Sequence, residues 1–355
     1  MENIDGKISW LLEVNRKNSE KYIKDELPRR LYQAEHKTNI LALKCMDGRV
    51  NLSLVTGTPL GIIKPYRNIG GRFNMGWPML GADIQDAIEE GVSLAKKSVV
   101  LINYHYSEGD AHRGCAGFNY DKNASIRFTL NLHKQFNRIF GENNGVVYPI
   151  VVGLETDTDA LIFHGENPSS ENTLFIQEGM DTDSDYLMSL LNNFYPNMDK
   201  QVKKDIIPLI QGNIAHVGMV KTSNRNFEDM KHKEWVLGVG RGFDWLHEPN
   251  AALLVGPFNP ELSNPIVNAV GIIADNMNSG RISNNGFLIL SSAIFKKYGN
   301  DRARAIEKTN FFADKAREII EANYPELLPK AHFMRVVIDE NTRRIEHVPE
   351  IKSGL

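Results

Sequence analysis

Two cysteines, Cys45 and Cys115, are the only ones in the chain, and His105 and His112 lie between them. The stretch opens with Cys45-Met46-Asp47-Gly48-Arg49, passes through Tyr-Arg-Asn-Ile-Gly-Gly-Arg-Phe at 66–73, and closes with Tyr104, His105 and, ten residues on, Cys115-Ala116-Gly117. Two thiolates and an imidazole are three ligands of the kind zinc takes. A structural zinc site is closed by four protein ligands, whereas a catalytic one keeps three and leaves the fourth position for water. The count therefore favours chemistry over a structural clip. Beside a nearby histidine, a cysteine pair in a reducing compartment points to metal or catalysis rather than to a disulfide.

The elements that must position these residues are read from periodicity. Residues 38–44 are a short apolar run that fits a buried strand ending at Cys45, with Gly48 turning the chain just beyond it. Residues 61–67 form a second strand, and the Gly70-Gly71 pair after it implies backbone lying close to something. A helix over 82–96 has Ile84, Ala87, Ile88, Val92 and Ala95 on one face, and the strand over 98–104 delivers His105 at its end. This alternation argues for a mostly parallel sheet flanked by helices, with both halves of the site at the carboxyl edge where open α/β sheets place their ligands.

A helix over 125–140 and a strand over 145–154 follow. In Glu155 to His164, Asp157 and Asp159 read as turn or cap residues. Residues 166–190 read as a polar surface excursion leading into a helix, and the acidic run there lacks the Gly and closing Glu of a calcium loop. The second half repeats the alternation, with strands at 234–240, 286–290 and 332–339 and helices at 264–277 and 301–322, without a cysteine. Residues 1–36 read as an amphipathic helical segment interrupted at Pro28, which must cover another surface to bury Trp10, Leu11, Leu12 and Leu31. The expected organisation is an N-terminal helical segment 1–37, a zinc-binding catalytic domain 38–215 and a cysteine-free α/β domain 216–355 that reads as a degenerate copy of it.

At 355 residues, with 42% hydrophobic and 24% charged residues, the composition is that of an ordinary globular protein with a large core. A net charge of -3 without a basic run gives no footprint for nucleic acid or an anionic membrane surface. The apolar patch at 8–12 is too short for a signal sequence, so a cytoplasmic location is expected.

The motifs resemble those of the β-type carbonic anhydrases, and in particular the divergent branch found in carboxysome shells. The general pattern of C-x-D-x-R, an R-N-x-G segment and a strand-end His followed by Cys has counterparts in Cys45-Asp47-Arg49, Arg67-Asn68-Ile69-Gly70, and His105 with Cys115. The nine residues between His105 and Cys115, the H-x-G-C-A of 112–116, the T-D-T-D-A of 156–160 and the G-V-G-x-G-F of 238–243 resemble the carboxysomal branch. Two departures stand out: Ala116-Gly117-Phe118 replaces the family's A-x-H-G continuation, and residues 1–37 are too short for its N-terminal region, so the resemblance leaves carboxysome components and a carboxysomal location open but the N-terminal segment does not support them.

The resemblance implies a β-carbonic-anhydrase-like fold binding Zn2+ through Cys45, Cys115 and one histidine. His105 is favoured because a strand end is a firmer platform than an inserted loop; His112, spaced H-x-x-C from Cys115, is the alternative and otherwise a proton-handling or plain surface residue. Such a zinc acidifies a bound water from a pKa of 15.7 toward ~7, and the resulting hydroxide attacks carbon dioxide to give bicarbonate. Thiolate ligands leave that water less acidic, which implies a basic pH optimum. In the family the arginine of C-x-D-x-R fixes the aspartate that orients the nucleophile, roles that fall here to Arg49 and Asp47. Arg67, Asn68 and Tyr104 are candidate pocket walls. A homodimer or higher homo-oligomer is expected. The competing readings are a same-fold zinc hydrolase acting on a related small molecule such as carbon disulfide, an inert zinc-bound assembly scaffold, and a metal-free cysteine hydrolase.

Overall fold

The computed structural model describes residues 4–350 apart from 143, 170, 247 and 249. Two helices lead the chain, α1 (Ile4–Lys24) and α2 (Glu26–Glu35). The interruption falls at Asp25 rather than at the expected Pro28. That proline sits in the first turn of α2, where a backbone N–H has no intrahelical acceptor to lose. Leu27–Lys231 forms one compact unit, and Met1–Glu26 with His232–Leu355 forms the other.

In the first unit the order is β1 (Asn39–Cys45), α3 (Leu52–Val55), β2 (Ile63–Asn68), α4 (Pro78–Ser93), β3 (Ser98–Tyr106), α5 (Lys122–Phe140), β4 (Val147–Glu155), β5 (Ala160–His164), β6 (Thr173–Phe175), α6 (Ser184–Phe194) and α7 (Lys200–Thr222). The sheet runs β2-β1-β3-β4-β5-β6. Its first four strands are parallel and its last two pairings antiparallel. Ile40 to Cys45 and the whole of β3 are buried at successive positions, so both faces of these central strands are covered, which explains their unbroken apolar character. Residue 215, where the sequence suggested a division, lies inside α7, a helix that carries Pro208 in its interior. Asn213 ties that helix to the sheet, donating to the Val55 and Asp159 carbonyls at 2.9 Å and accepting from Leu161 N at 2.8 Å.

The second unit contains β7 (Val236–Gly240), β8 (Ala252–Val255), α8 (Ser263–Asn278), β9 (Phe287–Phe295), α9 (Asn300–Asn323), β10 (Ala331–Asp339) and β11 (Ile345–Val348). Its sheet order is β11-β10-β9-β7-β8, parallel except for the β10–β11 pair. Substituting β1 to β5 for β7 to β11 reproduces the order and strand directions of the first unit, with one helix before and one after the third strand in each. The chain is therefore α/β with two similar mixed sheets.

Helix α1 folds with the cysteine-free unit. Its Ile4, Leu11 and Val14 share a core with Trp235, Trp245 and Leu246, and Asn18 Nδ2 donates to the Trp245 carbonyl at 2.7 Å. The last third of the chain thus buries Leu11 and packs against Trp10, whereas Leu12 on α1 and Leu27 and Leu31 on α2 stay exposed. No described helix is long and apolar enough to cross a membrane.

Candidate metal centre

Cys45 is the last residue of β1, and His105 is the last but one of β3. These strands run side by side in parallel, with Leu43 opposite Ile102, so both donors reach the carboxyl edge of the sheet. Cys115 arrives differently. Beyond β3 the chain makes a 3-10 turn at Ala111–Arg113 and reaches Cys115 just before a second turn at Ala116–Phe118. Here the backbone is tightly packed: a Cβ on Gly117 would lie 2.6 Å from Gly70 N. Gly70, at φ 59°, and Gly117 therefore form the close approach that the Gly70-Gly71 pair implied.

The two sulfurs stand 3.9 Å apart, and both are free thiols. A disulfide needs about 2.05 Å, whereas two sulfurs bonded tetrahedrally to one zinc at about 2.3 Å would stand roughly 3.8 Å apart. With a ring nitrogen of His105 they form a cluster whose donor atoms all lie within 4.8 Å of one another, every residue buried. His105 is 2% exposed, and neither ring nitrogen has a hydrogen-bond partner. Each buried polar group left so costs about 1–3 kcal/mol. An orphaned imidazole beside two thiols fits a metal ligand, and the set can coordinate a metal ion.

The charge state of the sulfurs points the same way. The Cys115 thiol hydrogen-bonds Cys45 and holds it well below the usual thiol range, against its burial and helped by the neighbouring His105. Cys115 is pushed well above that range by the same bond and by burial. The negative charge of Asp47 opposes ionisation of both. A cation held by both sulfurs would displace their protons.

Asp47 and Arg49 are 3% and 2% exposed at their side chains. Arg49 Nε meets Asp47 Oδ1 at 3.0 Å, Nη2 meets Oδ2 at 2.6 Å, and the Arg49 backbone N–H donates to Oδ1 at 2.9 Å. The guanidinium also donates through Nη1 to the Met230 carbonyl at 2.5 Å and through Nη2 to the Gly114 carbonyl at 3.5 Å. It therefore joins the aspartate to the residue preceding Cys115.

Other candidates fall elsewhere. His112 is exposed and packs edge-on against Tyr120, with ring centroids 4.8 Å apart, outside the cluster. Tyr104 does not line the site: strand alternation turns it away from His105, and its hydroxyl meets His164 Nε2 at 2.9 Å within a core containing Tyr106 and Ile126. Arg67 Nη1 reaches the Asp47 carbonyl at 3.5 Å. Asn68 is buried, and its Oδ1 lacks a hydrogen-bond partner.

Asp157 and Asp159 do more than shape a turn. Asp157 makes a two-pronged ion pair with Arg113, with Nε to Oδ1 at 2.7 Å and Nη2 to Oδ2 at 3.0 Å. Asp159 accepts from His216 Nε2 at 2.9 Å and from Arg225 Nη2 at 2.6 Å. Burial raises both carboxyls, but these partners hold them below the ordinary range. The partners are 44, 57 and 66 residues away. Only the density of acidic residues in Glu155-Thr156-Asp157-Thr158-Asp159 hinted at them.

The register shows what stands at the matching points of the second unit. His105 pairs with Leu154 as Ile294 pairs with Ile338. Leu43 pairs with Ile102, three residues before His105, as Val239 pairs with Ser291, three before Ile294. Arg241 accordingly occupies the position of Cys45 and Ile294 that of His105. Ile294 and Ile338 pack with Phe243 and Trp245, so apolar contact replaces the polar cluster.

No family model matches the chain. A carboxysome shell carbonic anhydrase from Prochlorococcus marinus subsp. pastoris is 23% identical over 245 residues, covering 58% of this chain and 46% of that protein. The chain is distantly homologous to that enzyme. It spans about half the length of this curated relative. Together with the Cys-His-Cys cluster, which resembles the zinc site of β-type carbonic anhydrases, the match supports metal-dependent catalysis in general.

Proposed function

We propose that Cys45, His105 and Cys115 hold a zinc ion and that the chain catalyses the reversible hydration of carbon dioxide to bicarbonate. The observation that carries this reading is the convergence of two free thiols on a buried imidazole with no hydrogen-bond partner, beside a buried Asp-Arg pair. When bound, zinc supplies a Lewis acid that makes water a nucleophile near neutral pH.

The protein residues then have distinct tasks. Cys45 and His105 sit on paired strands and form the rigid side of the site, and Cys115 closes it from the loop. Arg49 addresses both oxygens of Asp47 and fixes the plane of the carboxylate. An ionised carboxylate only accepts hydrogen bonds. With the metal bound, Asp47 would therefore accept a hydrogen bond from the nucleophilic water and so orient it toward the substrate. Burial of Cys45, Asp47, Arg49, His105 and Cys115 keeps these interactions out of bulk water, where they would be weaker.

The second unit, on this reading, is a degenerate copy kept for structure. Metal analysis joined to a stopped-flow hydration assay, on the native chain and on Asp47→Ala, tests the proposal. Stoichiometric zinc with hydration in the native chain, and zinc without hydration in the variant, is the expected pair of results. A fully active Asp47→Ala would reject the role given to the aspartate, and a zinc-loaded native chain without hydration would leave a zinc hydrolase of a related small molecule or a metal-bound scaffold.

A further inference from the structure

Two of the three donors come from paired strands, but Cys115 depends on the insertion 106–114, whose Asp110 to His112 end is partly or wholly exposed. A loop of that kind does not deliver a sulfur to a fixed point by itself. What fixes it is the segment Glu155-Thr156-Asp157. Asp157 Oδ2 accepts from Ser107 Oγ at 2.8 Å and from Gly109 N at 3.0 Å, at the start of the insertion. The same carboxylate takes the fork of Arg113 at its end. Thr156 Oγ1 donates to the carbonyls of Tyr106 and Arg113 at 3.0 and 3.1 Å, and Glu155 Oε1 accepts from Glu108 N at 3.2 Å. The other face of the Arg113 guanidinium lies 4.7 Å from the Phe227 ring centroid. Space at the clamp is tight: a Cβ on Gly109 would come within 2.5 Å of Arg113 Nη2 and 2.9 Å of Asp157 Oδ2.

We infer that Asp157 and Arg113 are positioning residues for the metal centre: by joining the two ends of the insertion they set where Cys115 meets Cys45 and His105. This rests on the reading that those three residues hold a metal. Neither clamp residue touches the ion; they act through the backbone on either side of it. Arg and carboxylate are suited to the task because their two-pronged geometry fixes orientation as well as distance.

The test is zinc affinity, measured by competition with a chromophoric chelator, and the absorption spectrum of the cobalt-substituted protein, whose thiolate and ligand-field bands report donor geometry. Asp157→Asn keeps the shape of the side chain and removes its charge. Zinc affinity is expected to fall about 10- to 100-fold, the range seen when groups supporting metal ligands are removed, with a changed cobalt spectrum and a folded protein by circular dichroism. Arg113→Lys, which keeps the charge and loses only the fork, is expected to shift both readouts in the same direction by less. It also serves as the test should Asp157→Asn fail to fold. Asp159→Asn, in the same turn but paired with His216 and Arg225, is the control and is expected to leave both readouts unchanged.

Native affinity and spectrum in Asp157→Asn, or an equal loss in the control, would overturn the assignment while leaving the metal reading intact. A native protein that takes no zinc would overturn the metal reading itself.

Discussion

Replacing Arg49 with alanine is expected to strip the buried Asp47 carboxylate of its two-pronged guanidinium partner. Both side chains are at least 97% buried, so solvent screening offers little relief. Breaking a buried pair by removing one partner costs about 3–5 kcal/mol. The Met230 carbonyl loses its 2.5 Å donor as well. Against total stabilities of about 5–15 kcal/mol, this is a large fraction. Removing both charges is a different perturbation: Asp47→Asn with Arg49→Met should recover much of the loss, because no uncompensated charge remains. Urea denaturation provides the assay, followed by far-UV circular dichroism and by tryptophan fluorescence. Trp10, Trp235 and Trp245 belong to the second unit, which leaves Trp77 to the first, so the circular dichroism transition should move more than the fluorescence one. Hydration activity should be lost in the single and the double variant alike. A single substitution costing under about 1 kcal/mol, the range of exposed pairs, would refute this account of the dyad.

Further outcomes follow from the same geometry. Cys45→Ser, His105→Ala and Cys115→Ser should each abolish stoichiometric zinc by elemental analysis, whereas His112→Ala should retain it. In Gly117→Ala the added carbon meets Gly70 N, so the segment carrying Cys115 must shift; zinc affinity should fall and a chelator should expose the thiols faster to a thiol reagent. Burial holds His133, on α5, down at about 4 from 6.5. A base whose folded pKa is depressed contributes stability that is complete above its unfolded pKa and is lost as pH falls through the folded one. Between pH 6.5 and 4 the native chain should therefore lose up to about 3 kcal/mol through this residue. Denaturation midpoints of His133→Leu across that window should fall less steeply than those of the native chain.

The site was legible where it rests on regular structure. Strands β1 and β3 announce themselves as apolar runs because both their faces are buried, and each run stops where a ligand-type residue begins. Choosing His105 over His112 followed from the strand end, beside a spacing to Cys115 that resembles the carboxysomal branch, and the structure brings His105, not His112, to the sulfurs. What escaped was either interrupted or non-local. Helix α7 hides behind Pro208, Gly212 and Gly218, each a local breaker, although tertiary packing keeps the helix running through them. Strands β6, β8 and β11 are too short to show a period. Tyr104, a candidate pocket wall, lies on the other face of β3 because adjacency to His105 in sequence means opposition in a strand. The pairing of Asp157 with Arg113 spans helix α5 and strand β4, and no pattern along the chain encodes it. In the second half, element order could be read from sequence, but the equivalence of Ile294 and Arg241 with His105 and Cys45 needed the ladder register.

That equivalence makes the silence of the second unit hard to reverse. Writing a cysteine at Arg241 and a histidine at Ile294 would restore two donors, one fewer than a catalytic zinc keeps. The missing one has nowhere to come from, since the chain passes from Phe295 straight to Asn300 where the first unit spends residues 107–121 between β3 and α5. Point substitution alone cannot rebuild that centre; an inserted segment, with its own means of being held in place, would have to arrive as well.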